Sequence, residues 1–203
     1  MPADPEVTVL GAAGTVTGSC NLVESPEGGR VLVDVGLYQG RKELRLRNWA
    51  PFPFEPASID AVVLTHAHVD HCGLLPKLVR DGFTGAVHAT PNTARLARIV
   101  LPDSGHLHEE EAAFANRKGY SKHDPALPLY TEADAERSLQ HLREVDFGAP
   151  TVVAPGIEVT FRHAGHILGA ASPSIRFVGT GRRAVFSGDL GRDDHPLLVA
   201  PDP

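Results

Sequence analysis

The sequence predicts an α/β layered sandwich. Three observations carry that prediction: short β-favouring runs at both ends of the chain, helical periodicity confined to its middle, and an apolar strand that stops abruptly at a cluster of histidines. Residues 7–10, 21–24 and 30–35 are β-rich and separated by Gly-rich and Pro-Glu-Gly-Gly turns, which predicts a short antiparallel series. Residues 60–64 form a further apolar run, ended by Thr65-His66-Ala67-His68. Beyond it Leu74, Leu75, Leu78 and Val79 recur at helical spacing, so 73–80 is predicted helical. A short strand at 86–89 leads to Thr90, a helix cap with Pro91 at the first helical position, and the helical pattern continues through 95–100. Pro102 is expected to break or kink that helix, because proline has no N–H to donate and crowds the preceding turn. A second helix is expected at 109–116 and a loop at 118–129. A third helix opens on the capping-box-like Thr131-Glu132-Ala133-Asp134 and is expected to run until just before Phe147-Gly148. Strands at 151–154, 157–162, 174–178 and 184–186 return the chain to β structure. No repeat, low-complexity tract or linker divides the chain, so residues 1–203 read as one domain.

Composition agrees with that architecture. A hydrophobic fraction of 42%, a charged fraction of 22%, 20 Gly and 17 Pro exclude a coiled coil, a collagen and a disordered chain. At 203 residues a single buried core is available. The net charge of −6 excludes holding nucleic acid by bulk charge, so any such contact needs a local patch. Arg41, Lys42, Arg45 and Arg47 form a basic run, read either as a solvated face or as a contact for substrate phosphates. Cys20 and Cys72 are too few for a disulfide framework and do not form a C-x-x-C pair, which fits a reducing, cytoplasmic setting. The N-terminus lacks the basic and apolar regions of a leader, and no apolar run approaches the ~18 residues of a membrane span. The outlying count is histidine, at 11.

His66-Ala67-His68-Val69-Asp70-His71 gathers three imidazoles and a carboxylate directly after an apolar strand. Side chains alternate along an extended chain, so His66 and His68 project to one side and can grip one metal. Asp70 and His71 lie past the turn and can face a second, as two-metal hydrolysis requires. The competing reading, a solvated polar loop, gives no reason to concentrate imidazole, the commonest protein metal ligand. Two later segments could complete the set: Phe161-Arg162-His163-Ala164-Gly165-His166-Ile167-Leu168-Gly169 and Phe186-Ser187-Gly188-Asp189-Leu190. Each places a ligand type at a strand end, where loops build sites. Alone, each is weak: a single histidine is more often core or surface, and an aspartate after glycine is usually a turn former. The residues leave both His163 and His166 open as ligands. Asp34, after Val31-Leu32-Val33, is either a turn aspartate or a carboxylate that orients a ligand imidazole by a hydrogen bond. His106, His108, His123, His141 and His195 match no ligand pattern, and Cys72 reads as a small buried residue.

These residues resemble the metallo-β-lactamase superfamily, whose H-x-H-x-D-H signature is matched at His66, His68, Asp70 and His71. Asp34, Ala164-Gly165-His166 and Gly188-Asp189 align with its first, third and fourth motifs. Leu10-Gly11-Ala12-Ala13-Gly14-Thr15-Val16-Thr17-Gly18-Ser19-Cys20, Leu37-Tyr38-Gln39-Gly40-Arg41-Lys42 and Leu101-Pro102-Asp103-Ser104-Gly105-His106 through Asn116-Arg117 are similar to segments of the β-CASP nucleases, bacterial and archaeal relatives of the cleavage-and-polyadenylation endonuclease. The resemblance implies a metallo-β-lactamase-type αββα sandwich, present as its N-terminal part. The β-CASP insertion and the C-terminal motifs, among them the last ligand histidine, are absent before Pro203.

The resemblance also implies roles. His66, His68 and His166 would hold one zinc, Asp70 and His71 part of a second, and Asp189 would bridge them, so one of the family's two sites is complete in this chain. Asp70 and Asp189 are the catalytic carboxylates, Asp34 supports a ligand, and His163 is left as a pocket or surface residue. A bound metal lowers the pKa of water from ~15.7 to ~7, and Asp70 could orient that water or take its proton. The implied function is zinc-dependent hydrolysis of RNA phosphodiester bonds in the cytoplasm, endo- and exonuclease modes both open. The implied partner is RNA, with no membrane contact and with room for a homodimer. Activity is expected to need the absent C-terminal part. A small-molecule metallo-hydrolase acting on a lactone, thioester or lactam, and a non-catalytic fragment, are the alternatives. Histidine and carboxylate ligands accept Mn or Fe as well as Zn.

Overall fold

The computed structural model describes residues 4–202. Its first sheet is built from β1 (Glu6–Val9), β2 (Asn21–Glu24), β3 (Arg30–Val33), β4 (Ala61–Val63), β5 (Ala86–Ala89) and β6 (Leu142–Glu144), in that spatial order. The first three strands are antiparallel, as the short turns between them require, and β3 to β6 are parallel. The second sheet is antiparallel throughout, ordered β10 (Arg183–Val185), β9 (Ala171–Phe177), β8 (Ile157–His163), β7 (Thr151–Ala154). Five helices lie between the strands: α1 (Lys42–Arg45), α2 (Val69–Cys72), α3 (Leu75–Arg80), α4 (Pro91–Lys118) and α5 (Glu132–Ser138).

Alternation along the strands divides the core into two layers. Leu22, Leu32, Val62, Leu64 and Val87 face the helices and pack with Leu75, Leu78, Ala97, Leu101 and Ala135. Val23, Val31, Val33, Ala61 and Val63 face the second sheet and pack with Ile157, Val159, Phe161, Ile175 and Phe177. With both faces covered, β3 and β4 read as unbroken apolar runs, as buried parallel strands do. The outer face of the second sheet carries Glu158, Arg162, Ser174 and Arg176. The described residues thus supply three layers, helices, sheet and sheet, of the four in an αββα sandwich. No helix among the described residues is long and apolar enough to cross a membrane.

Several expectations need correction. Pro102 does not break its helix: α4 runs unbroken through it and absorbs the separate helix expected at 109–116. The carbonyl that proline leaves unpaired belongs to Arg98, on an exposed position where water can serve it. Gly119, left-handed at φ +65°, ends the helix. The third helix is shorter than predicted. It stops at Ser138, passes through one tight turn and becomes β6, whose Arg143 and Glu144 are exposed and give no strand signal. The helix expected at 73–80 forms as α3 from Leu75, and a separate short helix that was not expected, α2, precedes it and holds Asp70 and His71. Strand β3 ends at Val33 rather than at residue 35.

Candidate metal centre

The centre forms where loops from both sheets meet. Thr65 to His68 leave the end of β4 without helical structure, and α2 begins at Val69. His166 follows β8 by way of Ala164-Gly165, and Asp189 follows β10 by way of Phe186-Ser187-Gly188. Gly188 has φ +55°, and a Cβ there would lie 2.9 Å from Thr65 Cβ. Glycine is therefore needed for the backbone to bring Asp189 against the first loop.

His66 Nε2 lies 3.0 Å from His68 Nδ1, and His166 Nε2 lies 3.2 Å from the same atom. Asp189 Oδ2 stands 3.5 Å from His166 Nε2 and 3.8 Å from His66 Nε2. These four ligand atoms all fall within 4.8 Å of one another. The other oxygen of Asp189, Oδ1, is 3.4 Å from His71 Nε2. One carboxylate thus faces His66 and His166 with one oxygen and the single imidazole of His71 with the other.

Asp34 sets the orientation of His71. It is 1% exposed and left-handed at φ +62°, uncommon outside glycine, and this dihedral ends β3 and turns the carboxylate across the loops. Thr65 donates to it from its backbone N at 2.9 Å and from its hydroxyl, Ser19 Oγ donates at 3.0 Å, and His71 Nδ1 lies 2.7 Å away. A carboxylate can only accept, so His71 gives its Nδ1–H to Asp34 and keeps Nε2 free. The same reasoning fixes His66. Thr65 spends its single hydroxyl proton on Asp34, so its oxygen accepts Nδ1–H from His66 at 3.0 Å, leaving His66 Nε2 as a bare lone pair.

The charges follow from these surroundings. Burial, with the neighbouring His71, His68 and His166, pushes the pKa of His66 down to about 2. His66 is neutral, as a ligand must be. His166 is also lowered, by burial first, with His68 and His71 adding to it and Asp189 and Asp70 opposing. Burial also disfavours the cation on His71, but the hydrogen bond to Asp34 and the carboxylates of Asp34, Asp189 and Asp70 outweigh it and raise the pKa. A cavity of about 430 Å³, lined in part by Ser19, Asp34, Thr65, His71 and Asp189, opens beside the centre.

His66, His68, His166 and Asp189 therefore converge, and His71 joins them through Asp189. The Asp70 carboxylate stands outside the four-ligand group, half-buried on the first turn of α2, near enough to act on the charge of His71 and His166. His163 stays away: its ring stacks on Phe147 at 3.8 Å and its backbone pairs with Asp202. His106 pairs with exposed Glu110, and His141 bonds the Gly85 carbonyl. Cys72 is fully buried. Thr65 and Ser19 were missed by the sequence reading, although Thr65 directly precedes the signature and Ser19 ends a Thr-Gly-Ser run.

Residues 13–202 match the metallo-beta-lactamase superfamily. The chain belongs to that superfamily. Among curated relatives, this superfamily member is 40% identical to Ribonuclease TTHA0252 of Thermus thermophilus over 97% of its own length and 40% of the relative's. It is 32% identical to Transcription termination factor FttA of Methanocaldococcus jannaschii, over 95% of its own length and 28% of the relative's. The chain thus spans less than half the length of the curated relatives it matches. Among solved structures, a metallo-beta-lactamase of Cronobacter sakazakii superposes with a TM-score of 0.56 at 21% identity, covering 97% of this chain and 66% of that one. The subclass B3 enzyme MEM-A1, from a soil metagenome library, gives 0.52 at 22% identity, over 91% and 61%. The β-lactamases share the fold, whereas the ribonuclease shares the sequence.

Proposed function

We propose that this chain is the metal-binding lobe of a β-CASP-type ribonuclease that hydrolyses RNA phosphodiester bonds with two zinc ions. The carrying observation is Asp189, whose two oxygens face His66 and His166 on one side and His71 on the other. The donor set fits a divalent metal. His68 Nδ1 meets the ring nitrogens of both His66 and His166 at hydrogen-bond distance, and a single proton on it satisfies at most one of them. A cation among these three imidazoles and the carboxylate would satisfy all four, in the N/O coordination that zinc takes.

A metal held there supplies Lewis acidity to the phosphoryl oxygens and acidifies the attacking water. The chain's own residues do the rest. Asp34 and Thr65 lock the tautomers of His71 and His66, so that each presents a bare Nε2. Asp189 holds the two ligand groups in register, and Asp70 orients the attacking water or accepts its proton. RNA as substrate agrees with the names of the ribonuclease and termination-factor relatives, and with RNA we assign a cytoplasmic setting. Acyl hydrolysis of a lactam or thioester has only the shared fold behind it.

The test pairs metal content with turnover. His66→Ala/His68→Ala is expected to lose the bound zinc from this chain, read by elemental analysis, and to lose cleavage of single-stranded RNA when the same change is made in a longer protein that carries the C-terminal part. A double variant with unchanged metal content, or turnover of a thioester in place of RNA by the parent protein, would overturn the reading.

A further inference from the structure

One surface is left unexplained by the metal centre. Residues 41–49 carry Arg41, Lys42, Arg45 and Arg47 against a single acid, Glu43, in a chain whose net charge is −6. All four cations are exposed. Arg30, Arg80, Arg137 and Arg176 elsewhere sit within ion-pair distance of carboxylates, whereas none of these four does among the described residues. Other exposed cations among the described residues, such as Arg98 and Arg183, also lack such a carboxylate, but these four are gathered within seven residues, and a cluster of that kind on an acidic protein favours an anion from outside. Beside them stands Trp49, 56% exposed, with Leu46 at 59%, and Arg47 lies over the Tyr38 ring at 5.5 Å. An indole left in water among guanidinium groups supplies a stacking face together with charges that follow a phosphate backbone.

The segment is fastened in place and lies close to the centre. The Asn48 side chain, 5% exposed, clamps Tyr38 from both sides, accepting from its N–H and donating to its carbonyl at 2.8 Å each. Leu37 N–H in turn bonds the carbonyl of Val69, the residue between His68 and Asp70, at 2.9 Å. Between this segment and α4 lies a cavity of about 350 Å³, lined in part by Leu37, Gln39, Arg45, Trp49 and His108. His108 Nε2 is buried with no hydrogen-bond partner among the described residues. The cavity therefore offers an aromatic wall, a cation and an unanswered ring nitrogen, which together suit the face and edge of a nucleobase better than an acidic peptide.

We infer that residues 41–49 and the cavity behind them form a docking surface for single-stranded RNA, with a base stacked on Trp49 and phosphates on Arg41, Arg45 and Arg47. The inference rests on the RNA reading of the metal centre and adds where the strand lies as it approaches. Binding at this surface needs no hydrolysis, so it can be tested apart from that reading.

Trp49 is the only tryptophan in the sequence, so fluorescence excited at wavelengths that the three tyrosines do not absorb reports on this surface alone. The purified chain is titrated with a short phosphorothioate-linked oligoadenosine, which resists cleavage, while fluorescence and the anisotropy of a labelled oligonucleotide are read together. Quenching of Trp49 is expected to track anisotropy. Arg41→Ala/Arg45→Ala/Arg47→Ala should weaken binding at least tenfold at low salt and flatten the log–log salt slope by about 2, at ~0.7 per phosphate on a single strand. Trp49→Ala should weaken it about tenfold, while Trp49→Phe, which keeps a stacking face, restores most of the affinity. Unchanged zinc content in each variant certifies the fold. RNA binding by anisotropy without quenching, and insensitive to these variants, overturns the surface and leaves the RNA reading standing. No binding by either probe overturns both. Equal binding of heparin, with equal loss in the arginine variant and no effect of Trp49→Ala, reduces the surface to unspecific charge and overturns the base-stacking assignment.

Discussion

At Asp34 one dihedral, φ +62°, turns a buried carboxylate from the end of β3 toward Ser19, Thr65 and His71. The residue binds no metal itself in this arrangement; it decides which nitrogen of His71 is free to do so. Hydrogen-bond partners of ligand histidines are typically worth about 10- to 100-fold in metal affinity. Asp34→Ala is therefore expected to weaken the ion bound through His71 by that factor and to leave the group at His66, His68 and His166 much less affected. Isothermal titration with zinc reads both steps, and an unchanged weaker step would refute the orienting role. The ligand types themselves were legible in the sequence, because two histidines one residue apart on an extended stretch must point the same way. The choice between His163 and His166 was not legible from the residues alone, since it depends on the stacking of His163 on Phe147, 16 positions earlier in sequence. Ser19 and Thr65 were hidden for a similar reason. Their hydroxyls acquire a role only when the loops at 15–20 and 65–71 cross Asp34.

Helix α5 shows what local sequence can and cannot determine. Thr131 and Asp134 form the reciprocal capping box that their spacing predicted, Asp134 accepting from the Thr131 N–H at 2.9 Å and Thr131 Oγ1 from the Asp134 N–H at 3.1 Å. The helix can approach α4 only because Gly105 has no side chain: a Cβ there would stand 2.7 Å from the Glu132 backbone N. That contact joins residues 27 positions apart in sequence, so no local pattern announces it. Burial alone would raise the pKa of Asp134, but the bonds from Thr131 and the charges of Arg137 and Arg80 outweigh it and hold the carboxyl below its usual value. A depressed carboxyl pKa stabilises the fold above the ordinary value near ~4, and that contribution fades as pH falls through the lowered folded value. Asp134→Ala is expected to cost about 1 kcal/mol at neutral pH, from the lost cap. In denaturant titrations the gap between parent and variant should shrink below about pH 4. A gap of constant size from pH 7 to pH 3 would show that packing, and not the carboxylate, carries the effect. Strand β6 and the unbroken α4 went unread because each is decided by tertiary pairing. Leu142 and the exposed Arg143 and Glu144 become a strand only beside β5, and α4 continues past Pro102, whose missing N–H leaves the carbonyl of the exposed Arg98 without a helical partner.

On the scale of the whole molecule, the metal centre ties the two sheets together at one end. Its histidine signature leaves the first sheet after β4, whereas His166 and Asp189 leave the second sheet after β8 and β10. The apolar core between the sheets, from Val23 and Val63 across to Phe161 and Ile175, contains no metal-ligand residue, so the metal-free chain is expected to fold. A bound ion then adds linkage free energy, about 2.7 kcal/mol at a free concentration of 100 times Kd. For a domain of this size each kcal/mol moves Tm by about 2–4 °C, so zinc should raise Tm by roughly 5–10 °C. The two ligand groups should not contribute equally. Among the described residues the first group has three imidazoles and Asp189, while on the far side of the shared carboxylate stands the single imidazole of His71. The stabilisation should therefore saturate with close to one ion per chain before a weaker second step begins. His166→Ala removes the second sheet's imidazole and should abolish most of the shift, whereas His163→Ala, whose ring lies on Phe147 outside the cluster, should keep it. Thermal melts of the three proteins with zinc and with chelator make the comparison. If His166→Ala retained the full shift, the ion would be held by the first sheet's loop alone, and the cross-sheet clamp would be wrong.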